Sequence, residues 1–269
     1  MQYIKHLIFF ICYCFLLNFS LSGQDYEVAP VKLNYSVEPG EASSKVITIK
    51  NHANKNQTFI ISLGDFMPDS KGKINYYPAN STKFSCAQFL SVSPSFFEIN
   101  PNEEKEIMVT LQAAVGDYTS RWAMLYIRTA QEQTSFSVDK GLSAGLMVSS
   151  QIAVMISQSP KSNVNFFATI NRLNEITNES DSVRTFTANI ENLGDKITKC
   201  KVYLIAANLI TAEETFYDPI EVLTYPKSSL TVVLTLPYGL PKGKYSLSAV
   251  LDYGSTKTLE GTQTIIDVH

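Results

Sequence analysis

Between Phe84 and Leu111 the chain reads FSCAQFLSVSPSFFEINPNEEKEIMVTL, and its apolar residues keep the period of a strand. Phe89 to Val92 is a short apolar run closed by Pro94, Phe97 and Ile99 share one face, and Asn100-Pro101-Asn102-Glu103 turns the chain. Ile107, Val109 and Leu111 then alternate with polar or flexible neighbours, as a half-buried strand does. Proline has no N–H for a ladder, so these prolines belong at strand ends. The stretch predicts an antiparallel unit around which the chain is built, and the function it supports is binding, not catalysis.

The flanking sequence follows the same grammar. Val28, Val31, Leu33 and Tyr35 alternate loosely before the turn Glu38-Pro39-Gly40-Glu41. Ile47 and Ile49 share a face ahead of Asn51, Phe59, Ile61 and Leu63 alternate, and Asp65 to Asn75 reads as loop. Ala123, Leu125 and Ile127 interleave with Trp122, Met124 and Tyr126, so that strand is apolar on both faces and central. Thr129 to Lys140 is polar and reads as a long hairpin or loop. Leu146, Val148, Ile152, Val154 and Ile156 share one parity and predict a last long strand, stopped by Ser157-Gln158-Ser159-Pro160. About seven short strands at regular intervals is the pattern of an immunoglobulin-type sandwich.

The second half repeats the scheme. Phe186, Ala188 and Ile190 lead to Asn192-Leu193-Gly194-Asp195 as Ile47 and Ile49 lead to Asn51. Ala206 to Phe216 reads as a short helical turn or a loop. Leu230, Val232, Leu234 and Leu236 echo Ile107, Val109 and Leu111, and Gly243-Lys244-Tyr245 echoes Gly116-Asp117-Tyr118. A tyrosine at such a corner can bond back to the backbone. The prediction is an all-β chain of two tandem immunoglobulin-like β-sandwich domains, 24–158 and 159–269, after a signal peptide, 1–23. That peptide is read from basic Lys5 and His6, an apolar core from Leu7 to Leu17 and small residues around Ser20 to Gly23.

A membrane anchor needs about 18 or more apolar residues in a row, and Asn18 and Ser20 break this run. The expected location is the periplasm or the cell exterior, with no stable membrane span. Basic and acidic residues number 22 and 25, without a basic stripe, which argues against nucleic acid as a partner. Cys12 and Cys14 leave with the signal, and Cys86 and Cys200 are expected as separate buried thiols. Asn34, Asn56, Asn80 and Asn178 stand in glycosylation sequons. Outside the signal the only histidines are His52, in a polar turn, and the terminal His269, so no catalytic triad or metal cluster is expected and no cofactor is called for.

At Val28-Ala29-Pro30, Ile47-Thr48-Ile49-Lys50-Asn51, Phe89-Leu90-Ser91-Val92-Ser93-Pro94 and Ile99-Asn100-Pro101-Asn102-Glu103 the first domain resembles the PapD-like superfamily of periplasmic pilus chaperones. The resemblance spans Tyr26 to Ser157, and the two-domain layout is similar as well. It implies a protein that takes part in fimbrium or secretion-system assembly by lending the last strand of its first domain to a protein partner, which is strand addition. Leu146, Val148, Ile152 and Val154 would then offer side chains two residues apart beside unpaired backbone groups. The plainer reading is that they fill their own core. The family also anchors its partner's terminal carboxylate with two basic residues. Lys32 falls near the first position, whereas Ala153 stands at the second and brings no charge. A lone ammonium is a less directional clamp than a pair, so a related assembly or secretion role is expected in place of strict pilin capture.

The competing reading is a cell-surface adhesion or glycan-binding module. Trp122, Tyr76, Tyr77, Phe96 and Phe97 would form its stacking platform, with Tyr76-Tyr77-Pro78 in a loop as the best exposed contact. Aromatic residues of a sandwich more often belong to its core.

Overall fold

A computed structural model describes residues 25–130, 150–178, 183–237, 239–254 and 258–269. The signal peptide expected at 1–23, most of the polar stretch after Thr129, and Leu146 and Val148 lie outside the described residues.

The first sandwich runs through β1 (Tyr26–Ala29), β2 (Lys32–Tyr35), β3 (Ala42–Asn51), β4 (Gln57–Pro68) and β5 (Ile74–Pro78). It continues through β6 (Leu90–Ser93), β7 (Phe96–Ile99), β8 (Glu104–Gln112), β9 (Arg121–Thr129) and β10 (Gln151–Gln158). One sheet has the order β1-β3-β8-β6, and the other β2-β10-β9-β4, where β4 pairs β7 near its start and β5 near its end. The alternation read from the sequence decides which side chains meet between them. Ile47, Ile49, Ile107 and Val109 from one sheet and Leu125, Ile127, Val154 and Ile156 from the other are all 0% exposed.

The second sandwich holds β11 (Ala168–Glu175), β12 (Arg184–Asn192), β13 (Thr198–Asn208) and β14 (Glu214–Phe216). It ends with β15 (Ile220–Thr224), β16 (Ser228–Leu236), β17 (Gly243–Asp252) and β18 (Glu260–Val268). β11-β12-β16 face a sheet in which β13 pairs β14, β15 and β17, and β17 pairs β18. Phe186, Ile190, Val202, Leu247 and Leu251 form its core.

A shared device joins the halves. Asn51, fully buried, donates from Nδ2 to the carbonyls of Lys55 (2.8 Å) and Ile99 (3.0 Å) and accepts from the Ala53 N–H. Asn192 does the same in the second sandwich, donating to Lys196 (2.9 Å) and Thr224 (3.3 Å) and accepting from the Gly194 N–H. Each amide closes its turn from inside, where buried backbone groups have no water to bond. Cys86 and Cys200 are free thiols in separate cores. Burial pushes the Cys86 thiol up to about 12, so it stays protonated and inert.

Several expectations are corrected. The opening stretch is not one antiparallel unit: β6 pairs β8, while β7 crosses to β4 in the facing sheet. Phe97 reaches the core from that second side and stacks on Phe59 at 5.7 Å. Asp65 to Pro68 and Ile74 to Asn75 are strand, because the Pro68, Asp69 and Gly72 signals mark only the tip of the β4–β5 hairpin. Asp65 is buried there and accepts from the Thr82 N–H (2.9 Å) and the Ser85 hydroxyl (2.6 Å). Ala206 to Phe216 is the end of β13, a turn and β14.

The tyrosine corner forms only once. The Tyr245 hydroxyl donates to the Pro241 carbonyl at 2.9 Å, whereas Tyr118 is 54% exposed on the loop at the junction between sandwiches. Tyr245→Phe removes one partly buried hydrogen bond and should cost about 1 kcal/mol. A urea titration checks this as a lower midpoint with an unchanged slope, and Tyr118→Phe should leave the midpoint where it is.

Candidate functional site

The site begins where the first strand divides. β1 pairs β3 in one sheet, and after the cis Ala29–Pro30 bond β2 pairs β10 in the other. β2 runs parallel to β10 and covers only its lower half, Met155 to Gln158. Antiparallel β9 covers β10 along its whole length, from Gln151 to Gln158. Among the described residues no strand lies beside Gln151 to Val154 on the other side.

The direction of the backbone groups follows from one bond. The Met155 N–H donates to the Val31 carbonyl at 3.0 Å, away from β9. N–H groups along a strand alternate in direction, so those of Ala153 and Gln151 point the same way, at an open edge. Ser150, just above, is tied off, since its carbonyl accepts the Tyr26 hydroxyl at 3.0 Å. Among the described residues the result is a short notch of unpaired backbone on β10, above the point where β2 takes over the border of the sheet.

Side chains around the notch divide by parity. Val154 is 0% exposed and fills its own core, so it presents no side chain to a partner. Ile152 is half-buried and packs on the same core from its edge. Ala153 and Met155 face outward and pack against a separate cluster between the sandwiches, formed by Phe66, Phe84, Trp122, Met124 and Tyr225. The plainer reading therefore holds for Val154, while Leu146 and Val148 lie outside the described residues.

Below the notch, a cleft of about 410 Å³ opens between the sandwiches, with Lys32, Met155 and Trp122 on one side and Lys199, Glu221 and Tyr225 on the other. Lys32, exposed and opposite Met155 in register, projects into it. Lys199 was not foreseen, because which parity of β13 meets a distant domain leaves no mark on the sequence. Its ammonium lies 2.6 Å from Glu221, and that hydrogen bond holds the Glu221 carboxyl below its usual range. The cleft thus carries two ammonium groups against one carboxylate. Lys161 lines a different groove, beside Glu41 and Lys45, and does not join Lys32.

No family model and no curated protein matches the sequence. Solved structures do. One chain of a chaperone–tip adhesin complex vital for activation of CFA/I fimbriae biogenesis is 13% identical. The alignment covers 91% of this chain and 100% of that one at a TM-score of 0.50. The fold is that of the PapD-like fimbrial chaperones. The class 5 fimbriae chaperone CfaA aligns over 91% of this chain and 99% of its own, with 14% identity and a TM-score of 0.46. A chain of the Salmonella enterica SafA pilin–SafB chaperone complex is 10% identical over 91% of this chain and 99% of its own, at 0.44.

Within this PapD-like fold the aromatic residues separate cleanly. Trp122 and Phe97 are buried, which removes them from any exposed stacking platform. Tyr76 and Tyr77 lie on strand β5, not in a loop, and are 61% and 43% exposed, while Phe96 is 66% exposed on β7. Tyr76 rests edge-on against Tyr126, whose ring covers Gly64, where a Cβ would come within 2.5 Å of it. Tyr126 thus lies over a glycine on the outer face of its sheet. Among the described residues no group of His, Cys, Asp and Glu is placed to hold a metal ion, and no helix is long and apolar enough to cross a membrane.

Proposed function

We propose that the chain is an exported chaperone or assembly factor that binds an extended segment of another protein along the open edge of β10, without catalysis. The observation that carries this reading is that no described strand covers Gln151 to Val154 on the side to which the Met155 N–H points, which leaves the backbone groups of Gln151 and Ala153 facing that side without a described partner. An added strand would satisfy those groups and continue the sheet. Its end would then lie over the cleft, where Lys32 would meet a carboxylate and Lys199, shared with Glu221, would add a second cation from the second domain. The PapD-like fold supports the class of activity, and the neighbour described as a chaperone–tip adhesin complex supports a secreted or surface subunit as partner.

The test is a photo-crosslinking residue at exposed Gln151, activated in the native envelope. A protein subunit that lacks a strand of its own is the expected adduct. A polysaccharide, or no adduct at all, would refute the reading. Lys32→Ala should weaken capture about tenfold, the scale of one lost charge-assisted bond. An unchanged dissociation constant for the captured subunit would remove Lys32 from the anchor.

A further inference from the structure

The β4–β5 hairpin does more than extend its sheet. Asp69 shapes its tip, accepting at Oδ1 from the N–H groups of Lys71 (2.8 Å) and Lys73 (2.9 Å). Gly72 adopts φ +79°, and a Cβ there would sit 3.4 Å from Leu230 of the second domain. Between them, the Ser70 carbonyl accepts the Thr231 N–H at 2.7 Å. β16 is the last strand of its sheet and pairs only β12, so this bond is made to its free edge.

Behind the tip, Pro68, Gly72 and Ile74 face Val222, Leu223 and Tyr225 across a cavity of about 290 Å³. Those same three residues of the second domain line the partner cleft on their other side. One thin wall, β15 and Tyr225, therefore separates the hairpin from the cleft. The domains also meet through the Ser120 N–H to the Asp195 carbonyl (2.8 Å) and the Ile197 N–H to the Ser120 hydroxyl (3.1 Å). With those contacts and the Trp122–Tyr225 ring contact in place, the hairpin adds a further hold on the angle between the sandwiches from its own side.

We propose that the β4–β5 hairpin is a clasp that sets the width of the interdomain cleft, with Ser70 and Thr231 as its positioning contact. Thr231 donates away from β12, so Thr231→Pro removes the clasp bond and leaves the β12–β16 ladder its partners. Thr231→Val keeps the N–H and is the conservative control. A second variant deletes residues 70–72 and leaves the second domain untouched.

The measurement is the distance distribution between spin labels at exposed Glu106→Cys and Gln263→Cys, read without any partner. The buried thiols of Cys86 and Cys200 escape labelling. Wild type and Thr231→Val should give one narrow population, and both Thr231→Pro and the deletion should broaden it. An unchanged width in a folded clasp variant would overturn the clasp. The proposal takes the cleft as the place of binding from the functional reading, yet this readout involves no partner, so failure of one leaves the other standing.

Discussion

Trp122→Ala should cost about 3–5 kcal/mol, the range for emptying a large aromatic site in a packed core. Trp122 is the chain's one tryptophan and is 0% exposed. Its ring stacks on Phe84 with centroids 4.8 Å apart, meets Tyr225 of the second domain edge-on at 4.9 Å, and donates from Nε1 to the Phe66 carbonyl at 2.7 Å. Alanine would leave a cavity, remove the ring contact across the domain junction and strand a buried carbonyl. The loss falls on the junction as much as on either core. Calorimetry should therefore show a lower midpoint and two separated transitions where the wild type shows one. A single transition, displaced by less than about 1 kcal/mol, would mean that the cluster does not couple the sandwiches.

Much of this architecture was legible because strand periodicity reports burial directly. Parity puts Ile47, Ile49, Ile107, Val109, Val232 and Leu234 on inward faces, and all are buried. Asn51 and Asn192 were matched by position, and they make the same bonds. What parity cannot report is which sheet a strand joins. β6 and β7 are separated by two residues and enter opposite sheets, and nothing in SVSPSFFEI distinguishes that from a hairpin. Turn signals mislead in a similar way. Pro68, Asp69 and Gly72 mark a tip of a few residues, but their clustering spread the predicted loop over strand residues on both sides, including buried Asp65.

The site was legible only in part. Lys32 lines the cleft and Ile152 lies on the half-buried edge, whereas Val154 points inward with Ile156, whose parity it shares. The groups on which the proposed edge depends belong to the backbone of Gln151 and Ala153, and a backbone N–H has no signature in a sequence. Lys199 escaped notice for a different reason: it becomes a neighbour of Lys32 only through the packing of Tyr225 and Ile197 against the first domain.

Proline at position 153 puts the central claim to the test. The Ala153 N–H points at the open edge, so Ala153→Pro should leave the β9 ladder intact, as prolines on edge strands do. The Val154 N–H lies in that ladder, and Val154→Pro should break the fold by about 3 kcal/mol or more. The decisive quantity is the yield of partner crosslinked or copurified with Ala153→Pro relative to wild type, at matched folded protein. A loss of about tenfold or more is predicted, since a strand would lose a ladder bond and meet the proline ring in its path. Capture equal to wild type by folded Ala153→Pro would contradict the account, because a partner laid along this edge has to use that N–H.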